Sequence, residues 1–64
     1  MVASWEFRTL AVMHLAKYGD DAEAEAARRL HRAEELQDRG QMVVWTEVSA
    51  RLPKIRAERD KNGS

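Results

Sequence analysis

The sequence predicts an all-α fold, a small antiparallel bundle of three helices, and three observations carry that prediction. Apolar residues recur at helical spacing along most of the chain. Gly19 and Gly40 divide it into three segments, each long enough for a helix, since glycine readily takes the left-handed conformation just past a helix end. Strand propensity is confined to Met42, Val43, Val44 and Trp45.

The first segment, Ser4 to Tyr18, is apolar nearly all round. Trp5, Val12 and Leu15 lie toward one side, Phe7, Leu10, Ala11 and Tyr18 toward the other, and Met13 between them. Such a helix is normally buried all round. Two neighbouring helices in a chain of this length cover only part of its circumference, so the rest is expected to meet another molecule. The interface candidates are Trp5, Phe7, Leu10, His14 and Tyr18. Tryptophan combines a large apolar area with a single donor, which suits it to binding hot spots; Trp5 opens this overloaded helix.

The second segment runs from Asp21 to Arg39. Asp20 and Glu23 have the spacing of a capping box, and Asp21, Glu23 and Glu25 place negative charge at the positive end of the helix dipole. Ala22, Ala26, Leu30, Ala33 and Leu36 align on one side, a thin stripe that allows close approach but buries modest area. Glu25, Arg28, Arg32, Glu35 and Arg39 form a solvated outer side.

The third segment, Gln41 to about Glu58, gathers Val44, Trp45, Val48, Leu52 and Ile55 on one stripe, the pattern of a half-buried helix. Pro53 removes a backbone hydrogen bond and crowds the preceding turn, so the helix is expected either to kink there or to stop near Leu52, with a short helix restarting at Pro53. The charged tail, about residues 57–64, is expected to fray.

Composition limits the remaining choices. The 64 residues make one domain, 1–64, and a chain of that size buries only about 60% of the surface its unfolded form exposes. No cysteine is present, which excludes disulfides and fits a reducing compartment. With His14 and His31 as the only imidazoles, no zinc site is expected either. Self-association or unusually good helix packing is left to stabilise so small a fold. Eleven basic residues balance eleven acidic ones, so the broad positive field of a nucleic-acid binder is missing. No apolar run is long enough for a membrane span, and Glu6 and Arg8 interrupt the N-terminal one, against a signal peptide. A cytoplasmic location is the expectation.

No constellation points to catalysis, a cofactor or a metal. The hydroxyls Ser4, Thr9, Thr46, Ser49 and Ser64 lack a glycine-rich elbow, and no phosphate-cradling loop occurs. The acids Asp20, Asp21, Glu23 and Glu25 lack the alternation of a calcium loop and read as helix capping. His14, on the face of Phe7, Leu10 and Tyr18, reads first as a partly buried imidazole bonded to a neighbour, and second as a ligand or pH-sensing group. His31 lies among charges and reads as solvated. Arg51, Lys54, Arg56, Arg59 and Lys61 form a local basic excess that a DNA reader could use, with a helix-turn-helix drawn from Arg28 through Leu52. Glu58 and Asp60 offset it.

The stretch from Ala22 through Leu52, with Gly40 before Trp45, Val48 and Leu52, resembles short bacterial helical families of unknown function, in which a glycine-bounded turn precedes a Trp-x-x-Val-x-x-x-Leu helix. Pro53 directly after Leu52 departs from that form. The resemblance implies a compact helical fold in a bacterial or phage protein and carries over no activity. The sequence as a whole therefore reads as a non-enzymatic protein-interaction module, a homodimer through its first helix. A small DNA-binding regulator and an inhibitor or antitoxin-like protein that binds one enzyme are the alternatives.

Overall fold

The computed structural model describes the backbone of residues 4–63 and the side chains of residues 5–61. Ser64 and the side chain of Ser4, both among the hydroxyls considered above, lie outside the described residues. The fold is all-α. Helix α1 spans Ser4–Tyr18, a 3-10 turn Gly19–Asp21 leads into α2, Ala22–Glu35, and α3 spans Arg39–Gly63.

The regular three-helix bundle is corrected. No loop separates α1 from α2: residues 4–35 form one helical run folded at the 3-10 turn, so the molecule has two helical arms, the first of them bent. Gly19 makes the bend possible, with φ +56°. A side chain there would strain the left-handed backbone. Beyond the bend, α2 returns antiparallel along α3, from Glu23 beside Arg56 to Ala33 near Gln41 and Trp45. Helix α1 packs chiefly on α3 and only lightly on α2.

The second reversal does not use Gly40. Helix α2 ends four residues earlier than expected, and Gln37 takes the left-handed conformation, φ 55°. The Asp38 N–H donates to the Ala33 carbonyl at 2.9 Å and the Gln37 N–H to the Glu34 carbonyl at 3.1 Å, the paired bonds of a Schellman ending. Asp38 then caps α3, its carboxylate accepting from the Gln41 N–H at 3.2 Å. Gly40 sits inside the first turn of α3. The capping box expected from Asp20 and Glu23 does not form either. Asp21, not Asp20, is the N-cap of α2 and makes no side-chain cap bond, and the Glu23 carboxylate is held by Arg56.

Pro53 does not break α3, so no separate stub follows it, and the tail expected to fray from about residue 57 is helical to Gly63. Pro53 is exposed, so solvent can replace the bond that its missing N–H forfeits. On either side Leu52 and Ile55 are buried and hold the helix in place.

The core is small. Ala11, Leu15, Ala22, Ala26, Val48, Leu52 and Ile55 form one cluster, with Tyr18, Val44 and Trp45 packed against it. Among the described residues, Leu52 and Val48 are the only large side chains that are fully covered. The alanines let α2 approach α3 closely but contribute little area. Leu36, assigned by periodicity to the buried stripe of α2, is 65% exposed, since the helix ends before it.

Two substitutions test this account by urea unfolding. Gln37→Gly relieves the left-handed strain of a residue with a Cβ and is expected to stabilise the fold by about 1 kcal/mol. Pro53→Ala restores a helical N–H and is expected to add about 1–3 kcal/mol. Neutral or negative effects would show that the Schellman turn or the unbroken α3 is misassigned.

Candidate interaction surface

Helix α1 has an inner and an outer face. Ala11, His14 and Leu15 are buried on the inner one. The His14 imidazole donates through Nε2 to the Ala22 carbonyl at 2.9 Å, which ties the last turns of α1 to the first turn of α2 across the bend. Its ring lies 4.7 Å from that of Tyr18 and 5.3 Å from that of Trp45. Arg29 covers this aromatic group from α2. Its guanidinium carbon is 5.7 Å from the Tyr18 ring centre and 5.1 Å from that of Trp45, within cation–π range. Its Nη2 donates to the Tyr18 hydroxyl at 2.8 Å. The Trp45 indole N–H donates to Gln41 Oε1 at 3.1 Å.

Of the five interface candidates, the structure turns three inward wholly or in part. His14 is buried and bonded; Tyr18 is half-buried in the aromatic group; Phe7 is half-buried beneath Arg51, 5.4 Å from its ring centre. Trp5 and Leu10 point outward, at 67% and 42% exposure. Met13, at 63%, and Val12, at 40%, join them. These two were visible in the sequence as apolar residues of α1, but only the placement of α2 and α3 shows which arc of the helix goes uncovered. Leu10, Met13 and Lys17 also border a shallow, mainly apolar groove with Val44 and Trp45.

Several charged residues pair with one another within the chain. Arg56 donates from Nε to the Glu23 carboxylate at 3.0 Å and from Nη2 to the Gly19 carbonyl at 2.9 Å, with a second contact to Glu23 and a longer one to Asp20 at 3.5 Å. It closes the 3-10 turn onto α3. Arg51 pairs with Glu47 one turn earlier, and Arg8 of α1 reaches Glu58 at 2.9 Å. Glu25 accepts from Arg28 and Arg29, and His31 pairs with Glu35 on the exposed side of α2. Two arginines considered for a DNA contact, Arg51 and Arg56, are thus engaged with neighbouring carboxylates. Asp20, Glu23 and Glu25 of the acidic cluster face arginines, and among the described residues no group of three or more metal-ligating side chains comes together. No helix among them is long and apolar enough to cross a membrane.

No protein-family model matches this sequence, and the comparisons with curated proteins and with solved structures found no match either.

The Arg56 hydrogen bond, opposed by a smaller desolvation effect, holds the Glu23 carboxyl below its ordinary value of 4.5. Glu25 is lowered likewise, first by its hydrogen bond to Arg28. A carboxyl lowered by folding contributes stability that is complete above its unfolded pKa and is lost as pH falls through the folded one. Melting temperature is therefore expected to fall on acidification from roughly pH 5 toward pH 3. Glu23→Gln is expected to make that decline shallower, Glu25 supplying the remainder. An unchanged acid slope in Glu23→Gln would show that the clamp on the turn adds no pH-dependent stability.

Proposed function

We propose that this chain is a small, non-enzymatic protein-interaction module that self-associates through the outer face of α1. One observation carries the reading: Trp5, Leu10, Val12 and Met13, four large apolar side chains of one 15-residue helix, are all at least 40% exposed. Scattered surface apolar residues are ordinary, but a group on one short element marks a contact surface.

The dimensions of the chain support the same reading. A compact monomer of 7.4 kDa is expected to expose about 4,200 Å², whereas this chain exposes 4834 Å². Its radius of gyration, 12.0 Å, likewise exceeds the roughly 10.7 Å expected for its length. The excess surface, on the order of 600 Å², belongs to the elongated molecule as a whole, 41 Å along its longest axis, and the outer arc of α1 is one uncovered part of it. The small core gives association a second role. Covering an exposed Leu or Met contributes about 1–2 kcal/mol, a large share of the stability available to so small a domain. The likeness of Ala22–Leu52 to short bacterial helical families fits a cytoplasmic bacterial or phage module and adds no activity to it.

Light scattering at increasing protein concentration is expected to show a dimer, and the melting temperature is expected to rise with concentration. Leu10→Ser combined with Met13→Ser is expected to weaken the dimer about 30-fold or more, the equivalent of about 2 kcal/mol, while the helical circular dichroism persists. A monomer at hundreds of micromolar would overturn self-association.

A further inference from the structure

We infer that two copies pair through antiparallel α1 helices, with Glu6 of each facing Lys17 of the other and Leu10 facing the other's Met13. The inference rests on the self-association proposed above and specifies its geometry.

The order of residues on α1 is the first support. At about 100° per residue, Glu6, Leu10, Met13 and Lys17 fall within an arc of about 60°, at the four-three-four spacing of a helix–helix seam. An antiparallel partner reads this stripe in reverse. The acid at one end then meets the base at the other, and the two apolar residues meet in the middle. A two-fold interface must be self-complementary in this sense, with every contact made twice. Parallel pairing would instead set Glu6 against Glu6 and Lys17 against Lys17.

The structure leaves this stripe available. Leu10 and Met13 are exposed; Lys17 is exposed with its ammonium 5.4 Å from the centre of the Tyr18 ring; Glu6 is partly exposed. The inner face of α1 is already committed to α2 and α3 through Ala11, His14 and Leu15. Beside the stripe, the Thr9 hydroxyl donates to the Trp5 carbonyl at 3.0 Å, so a partner covering it would strand no donor. Thr9 and Ala16 are small, which permits close approach of a second helix. On the other flank, the groove bordered by Val44 and Trp45 offers further apolar wall to the incoming helix.

Because the chain has no cysteine, disulfide mapping reads the pairing directly. Within one chain, positions 6 and 17 are about 16 Å apart along the helix, far beyond the reach of a disulfide. Glu6→Cys combined with Lys17→Cys is therefore expected to give, under mild oxidation, a covalent dimer whose peptide map shows 6–17 links between chains. Glu6→Cys alone is expected to remain uncrosslinked. Without cysteines, Glu6→Lys or Lys17→Glu is expected to weaken the dimer about 3- to 10-fold at low salt, and the two together are expected to restore it. A dimer that gives 6–6 links, or one indifferent to both charge reversals, overturns the antiparallel pairing and leaves self-association standing. A parent chain that stays monomeric at hundreds of micromolar overturns both.

Discussion

The structure depends on the fold-back at Gly19. There the helical run of residues 4–35 bends within a 3-10 turn, and three side chains, His14, Glu23 and Arg56, secure the bend. His14 bonds to the Ala22 carbonyl beyond the turn, while Arg56 of α3 holds both the Gly19 carbonyl and the Glu23 carboxylate. The direction in which α1 leaves this corner decides which of its residues are buried. Ala11, Leu15 and His14 face inward because the corner directs them onto α3 and α2, and Trp5, Leu10, Val12 and Met13 remain outside.

A second constraint is volume. Among the described residues, four of the eight buried apolar side chains are alanines, and Val48 and Leu52 are the only large ones sealed completely. Close approach of α2 to α3 is possible for that reason, yet little apolar area is removed from water. The polar layer around this core compensates in part. Arg29 combines hydrogen bonding with stacking over Tyr18 and Trp45, and Arg56 ties the bend to the long helix. So small a core sits beside four exposed large apolar side chains on one helix, Trp5, Leu10, Val12 and Met13.

Much of this was legible in the residues. Periodicity placed Val48, Leu52 and Ile55 on the buried stripe of α3, and Ala22, Ala26 and Ala33 on that of α2, because the facing helices follow the simplest antiparallel return. The C-terminal limit of α1, Tyr18, followed from Gly19. The second reversal was less accessible. Gly40 looked like the breaker, but the chain turns at Gln37, where a Schellman ending and the Asp38 cap together outweigh glycine's conformational advantage. Pro53 looked like a break, but an exposed proline in a helix anchored on both sides is absorbed. The candidate surface was half legible: α1 was visibly overloaded, but Phe7, His14 and Tyr18 could not be separated from Trp5 and Leu10 without knowing where the other helices lie.

Local physics decided what the sequence alone could show: helix content, the alanine face of α2, the absence of cysteine, and an excess of apolar residues on the first helix. These are matters of composition and of spacing within a turn or two. Tertiary structure decided the rest, because a helix apolar on every side has no preferred face of its own. Only the angle at Gly19 and the arginine that closes it select one arc for the core, leaving the acid, leucine, methionine and lysine of the opposite arc in line on the surface.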